Sequence, residues 1–188
     1  MLILYRLLIN AVCLFAPIIL RIRIQKQKED KNRYKEKLCI IKKSKPLGKL
    51  VWFHAASVGE LLSILPLLKK LEKINEIKSI LLTTNTLSSS KVFEKKIKSK
   101  KIIHQFFPFD KDIFTKKFLN HWLPDLVIFV ESEIWPNFIL NIKNRKIPLI
   151  LLNGRITTKT YLRWKKIPNF AKSIFDSFDI CMSQNKET

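Results

Sequence analysis

Two stretches of this chain join carboxylates to the residue types that tune them. They are His54-Ala55-Ala56-Ser57-Val58-Gly59-Glu60 and Glu131-Ser132-Glu133-Ile134-Trp135-Pro136-Asn137. A carboxylate in a partly dry crevice loses solvation, its pKa climbs, and it becomes a better general base; a second carboxylate nearby pushes the same way. Glu60 and Glu131 are the candidates for that chemistry. Each also has a plainer role open to it. Ser57 and Glu60 fit the S-x-x-E capping box, in which the serine caps a helix and the glutamate reaches back to the cap amide. Glu131 and Glu133 would complement the dipole of a helix that Pro136 opens, with Trp135 simply packed. Gly59 points beyond capping. A poor helix former in a first turn lets a ligand approach the backbone closely, beside amides suited to an anion.

Other polar residues fall at comparable places. Asn153-Gly154-Arg155 offers an amide and a guanidinium suited to a sugar or phosphate, and an anionic ligand needs a fixed cation such as Arg155. Asn137 joins the same candidate set. Thr83-Thr84-Asn85-Thr86 and the Ser88-Ser89-Ser90 run read as turn and capping chemistry, and Lys165-Lys166 as a solvated face. The histidines (His54, His104, His121) and cysteines (Cys13, Cys39, Cys181) show no metal-ligand spacing and no CxxC pair. No metal site and no disulfide framework are expected, and a reducing compartment is the natural reading.

The elements that must position these groups follow from the pattern after Gly48. Short β-branched runs at 50–54, 79–84, 102–107, 125–130, 147–152 and 178–182 alternate with helical stretches at 58–74, 88–98, 111–121, 135–145 and 159–176. Continuous apolar runs indicate strands buried on both faces, and strand–helix alternation indicates βαβ units. The fold class expected is α/β, a Rossmann-like doubly wound parallel sheet of order 3-2-1-4-5-6. Ligands of such sheets bind beyond the carboxyl ends of the strands where the order reverses, here between strands 1 and 4. The two acidic stretches leave those two strands. Pro66, inside the first of these helices, is expected to bend it.

Residues 1–22 are almost wholly apolar and are read as a membrane-anchor helix, interfacial or marginally spanning. Residues 23–48 form a basic juxtamembrane segment, and 49–188 the α/β domain. The formal net charge is +21, from 36 Lys+Arg against 15 Asp+Glu. Such a field favours anionic membrane faces, phosphorylated ligands or nucleic acid. With no helix-turn-helix, RNP or zinc-finger pattern, nucleic acid is not an expected partner. Lysine-rich compositional bias accounts for part of the excess.

The motifs resemble the 3-deoxy-D-manno-octulosonic acid (Kdo) transferases. Val51 to Glu60 is similar to that family's first signature. Glu131 to Asn137 is similar to its E-T-E-L-W-P-N stretch, and Asn153-Gly154-Arg155-Ile156-Thr157 to its N-A-R-L-S stretch. The resemblance implies the N-terminal, acceptor-binding domain of a GT-B glycosyltransferase, inverting and independent of metal. It would transfer Kdo from CMP-Kdo to the lipid A precursor at the cytoplasmic face of the inner membrane. It also implies Glu60 as proton acceptor and Glu131 as transition-state stabiliser, with Ser57, Gly59, Asn137, Asn153 and Arg155 on the acceptor. No cofactor is implied, and anionic inner-membrane lipids are the expected surroundings. The family's C-terminal donor domain, which binds CMP-Kdo, is absent from these residues, so a fragment inactive alone is expected. The alternative is a non-catalytic, membrane-tethered module that binds a phosphorylated lipid. Leu87-Ser88-Ser89-Ser90 departs from the family's P-T-G-S.

Overall fold

The computed structural model describes residues 1–131 and 133–184; Ser132 of the second acidic stretch lies outside them. Six parallel strands form one sheet: β1 (Lys49–His54), β2 (Ile77–Thr84), β3 (Ile102–Phe106), β4 (Leu126–Val130), β5 (Leu149–Gly154) and β6 (Ile180–Ser183). Their order is β3-β2-β1-β4-β5-β6, as the right-handed crossover rule leads one to expect. Alternate residues of β1 feed two cores. Val51 and Phe53 pack with Leu61, Ile64 and Leu68 of helix α2 (Val58–Leu71). Trp52 packs on the other face with Phe118 and Trp122 of α4 (Asp112–Trp122) and with Phe138 and Ile142 of α5 (Pro136–Asn144). Two buried faces explain why the strands read as continuous apolar runs rather than alternating ones.

Helix α3 (Leu87–Lys96) follows β2 and is capped by Thr86, whose hydroxyl accepts from Ser89 N–H. The serine run thus serves the helix start. Helix α2 runs through Pro66 without interruption. The single helix expected at 159–176 is instead a pair, α6 (Thr158–Lys165) and α7 (Pro168–Phe175). Proline forces the residue before it out of the helical region, and Ile167 sits at φ −132°, ψ 57°.

The N-terminal helix α1 (Leu2–Gln25) extends three residues past the expected boundary at 22. Nothing in Arg21–Gln25 breaks a helix; the turn comes at Gln27, whose φ is 54°. By length and composition α1 is long and apolar enough to cross a membrane. Leu4, Leu7, Leu8, Leu14, Phe15, Ile18 and Ile19 are exposed, whereas Cys13, Ala16 and Leu20 are buried against the domain. The segment after it is folded onto the sheet rather than loose. Buried Glu29 accepts from Lys37 Nζ at 2.6 Å and Arg23 Nε at 3.1 Å, and Lys37 also donates to the Asn85 carbonyl. Arg33, next to a short 3-10 turn (Tyr34–Leu38), pairs with Glu36 at 2.9 Å and donates to the His104 carbonyl. Several of the expected membrane-facing cations are therefore spent inside the fold.

Candidate functional site

Strand β1 ends at His54, the chain crosses the carboxyl edge, and Ser57 caps α2. Glu60 sits in that first turn. Its Oε2 accepts from Ala56 N–H at 2.8 Å and its Oε1 from Ser57 Oγ at 2.8 Å, while Ser57 Oγ accepts in turn from Glu60 N–H at 3.3 Å. The capping box is real, shifted by one residue on the return bond. Burial pushes the Glu60 carboxyl above its usual range, against the Ser57 and Ala56 hydrogen bonds, and the negative charges of Glu133 and Glu131 push it further. One arrangement therefore both caps the helix and holds a carboxyl whose pKa is raised.

Gly59 is exposed, and a β-carbon there would meet only Ser57 Oγ, at 3.9 Å. The protein's own atoms do not demand a glycine. A Gly59→Ala variant should hold its fold, gaining up to about 1 kcal/mol in helix propensity. If the open space admits a ligand, the same methyl should weaken its binding several-fold; paired thermal melts and ligand titrations check both halves.

At the end of β4, Glu131 donates its N–H to the Leu152 carbonyl at 2.8 Å and adopts φ 60°. Asn153 in the neighbouring strand also has φ 60°. Asparagine tolerates that left-handed region; for glutamate it costs about 1–2 kcal/mol. Strain of this kind gathers where the surrounding structure needs a particular side-chain direction. Glu131 and exposed Arg155 line one cavity of about 460 Å³, walled by Leu151, Trp164, Phe175 and Met182. Asn153 lines a different hollow beneath α2 with Ser63 and Lys70.

The expected residues are thus divided. Ser57, Gly59 and Glu60 reach the carboxyl edge from the α2 side, and Glu131 and Arg155 from the α6–α7 side. The two carboxylates influence each other electrostatically across that edge. Asn137 is elsewhere: fully buried, with Nδ2 donating to the Asp110 carbonyl at 2.6 Å and Oδ1 accepting from Arg6 Nε at 2.8 Å. Its amide is engaged within the fold, by Asp110 and Arg6.

Sequence reasoning passed over two groups. One is a lock between α1 and the domain. Tyr5 O–H donates to Asp110 at 2.7 Å, Arg6 pairs with Asp112 at 2.9 Å, and Asp110 accepts from Asn137 and Phe138 N–H at 2.9 Å each. The other is His54, fully buried and stacked 3.8 Å from Phe107, with Nε2 at 3.1 Å from Glu133 Oε2. The only available signal was a lone histidine ending a buried strand.

A doubly wound parallel sheet with two interacting carboxylates over its carboxyl edge defines a Rossmann-like α/β ligand-binding domain. The same fold occurs in a UDP-N-acetylglucosamine 2-epimerase, with a TM-score of 0.51 over 77% of this chain and 42% of that one at 13% identity. Residues 32–188 match the family model described as 3-deoxy-D-manno-octulosonic-acid transferase (kdotransferase), and the chain belongs to that family. A 3-deoxy-D-manno-octulosonic acid transferase of Rickettsia bellii is 40% identical over 90% of this chain and 40% of its own length. A probable mitochondrial one of Arabidopsis thaliana is 35% identical over 86% of this chain and 36% of its own. That of Haemophilus influenzae is 30% identical over 72% and 31%. The chain spans about two fifths or less of the length of these relatives.

Proposed function

We propose that this chain is the acceptor-side part of a Kdo transferase, with Glu60 as general base. The observation that carries this reading is Glu60 itself. It is a carboxylate fixed by two donors, raised in pKa by burial and neighbouring charge, beside an exposed glycine at a helix start. In the reaction an acceptor hydroxyl attacks the anomeric carbon of Kdo from the face opposite the leaving group. The new C–O bond forms as the bond to CMP breaks, CMP departs with the electron pair, and Glu60 takes the hydroxyl proton. Attack from the opposite face inverts the centre. Glu131 stabilises charge developing at the sugar, and Arg155 holds the acceptor's anionic groups. Family membership supports the lipid A precursor as acceptor and CMP-Kdo as donor. The test is the full-length gene product incubated with CMP-Kdo and tetraacylated lipid A precursor. A mass increase of one or more Kdo units on the lipid supports the reading, and an unmodified lipid with active control enzyme refutes it.

The apolar flank of α1 supports a site at a membrane. Because Tyr5 binds Asp110 after β3 and Arg6 binds the starts of α4 and α5, α1 lies near the carboxyl edge, its exposed face free to enter the acyl boundary. The cytoplasmic face of the inner membrane is the location this reading assigns. Exposed Arg21, Lys26, Lys28 and Lys31 beside the helix end suit anionic headgroups. Flotation with vesicles is expected to recover the protein better on anionic than on neutral lipid. Replacing those four cations by glutamine should remove the anionic preference while leaving residual, salt-insensitive binding through α1.

A further inference from the structure

The chemistry assigned to Glu60 and Glu131 leaves one buried titratable group unused. His54 ends β1 at the carboxyl edge of the sheet, and its ring is held by neighbours on several sides. Phe107 stacks on it at 3.8 Å and 19°, and Phe129 meets it edge-on at 5.5 Å. Nδ1 lies 3.0 Å from Thr83 Oγ1 and 3.3 Å from the Thr83 carbonyl; Nε2 lies 3.1 Å from Glu133 Oε2. Thr83 Oγ1 also accepts from Trp52 Nε1 at 2.9 Å and is 3.2 Å from the Phe53 carbonyl.

Proton accounting narrows what the ring does. The threonine hydroxyl has one proton, to give either to Phe53 O or to Nδ1. If it goes to Phe53, Nδ1 must carry its own proton, and the ring that also holds a proton on Nε2 is then the imidazolium. If it goes to Nδ1, the ring's remaining proton sits on Nε2. In both arrangements Nε2–H donates to Glu133, because a carboxylate opposite a bare ring nitrogen would set two acceptors face to face. Glu133 Oε2 takes a second donor, Trp135 Nε1, at 2.7 Å. The Trp135 bond stays within the segment after β4, and the His54 bond is the one that ties that segment down to β1. That segment begins with Glu131, whose left-handed backbone needs holding.

We infer that His54 is a positioning residue: through its Nε2–H bond to Glu133 it pins the loop that carries Glu131 and so sets where that carboxylate stands relative to Glu60. The inference rests on the functional reading above for the meaning of Glu131. Among the described residues, His54 from β1 faces Glu133 at 3.1 Å, and Glu60 at the start of α2 feels the charge of Glu133. Burial tends to raise the Glu133 carboxyl, but the bond and charge of His54 with the Trp135 donor outweigh it and hold it below its usual range.

The test pairs His54→Leu, which keeps an apolar body against Phe107 but loses the donor, with His54→Gln, whose amide can restore a donor near Nε2. In the 188-residue chain, carbon NMR of labelled glutamate follows the Glu133 titration and proton NMR follows the Trp135 indole N–H. His54→Leu should move the Glu133 titration to higher pH and shift the indole signal; His54→Gln should return both most of the way. In the full-length gene product, His54→Leu should lower kcat roughly 10- to 100-fold, the scale of a reacting group displaced by about an ångström, with little change in KM. Glu133→Leu, which has no acceptor for the His54 proton, should match that loss, and the double variant should be no worse than either. If His54→Leu does not fold, the kcat of Glu133→Leu and its indole signal decide alone. A Glu133 titration that ignores the His54 substitutions, or an unchanged kcat in Glu133→Leu, overturns the inference. A full-length product without any Kdo transfer overturns the functional reading instead, and the titrations in the shorter chain still decide the role of His54.

Discussion

Glu60→Gln in the full-length gene product is expected to lower Kdo transfer by about 10²- to 10⁴-fold, the usual worth of a general base, with the fold retained. Glutamine is nearly isosteric with glutamate. Its oxygen can still accept from Ala56 N–H and its amide can donate to Ser57 Oγ, so the helix start keeps its partners. What disappears is the lone pair that takes the proton. The loss should fall on kcat rather than KM, since the proton moves only as the transition state forms. The parent's rate should rise with pH through a value above the ordinary 4.5 of glutamate, because burial and the charges of Glu133 and Glu131 raise that carboxyl. The sign for stability is opposite. A carboxyl raised in the fold keeps a proton that the unfolded chain has released, so its contribution to stability falls as pH climbs from 4.5 towards the raised value. Glutamine should flatten that slope. Transfer by Glu60→Gln at the parental rate would remove Glu60 from the chemistry.

Asp110→Ala should cost about 3 kcal/mol or more of unfolding free energy, the scale of stranding several buried donors at once. Asp110 is fully buried and accepts from Tyr5 O–H and from the first N–H groups of α5. Its removal strips a helix start of its acceptor and α1 of one of its polar ties. Tyr5→Phe, which takes away a single donor, should cost only about 1 kcal/mol. Burial lifts the Asp110 carboxyl to about 7 against the hydrogen bonds from Tyr5, Asn137 and Phe138. Its contribution to stability therefore declines as pH rises from 3.8 towards about 7, and Asp110→Asn should lose that dependence. Denaturant titrations across this range measure both effects. Hydrogen exchange should show the first turn of α5 opening before the rest of the sheet. An Asp110→Ala protein within about 0.5 kcal/mol of the parent would mean that water replaces the carboxylate.

The two residues at the centre of these expectations differ in how far the chain announces them. Glu60 stands in a motif that reads both as a cap and as a base; the structure shows the cap, and burial raises the carboxyl's pKa. Asp110 lies in a Pro-Phe-Asp turn with nothing nearby in sequence to betray its partners, which are 105 residues upstream and 27 downstream. Asn137 shows the converse. Its motif pointed to a ligand, yet its amide is held by Arg6 and Asp110.

Local pattern determined the six strands, their parallel order and the ends from which Glu60 and Glu131 emerge, because side-chain periodicity and crossover handedness act within one βαβ unit at a time. It also set the capping of α2 by Ser57, a contact between residues three apart. Only the tertiary structure decided that the two carboxylates come over the edge from opposite flanks, that α1 is locked to the domain by Asp110, Asp112 and Asn137, and that His54 bonds Glu133. The hydrogen bonds among them join residues 79 to 131 positions apart, save the bonds of Asp110 to the start of α5. Their geometry follows from how the sheet twists and how its helices pack, and no short stretch of sequence encodes that.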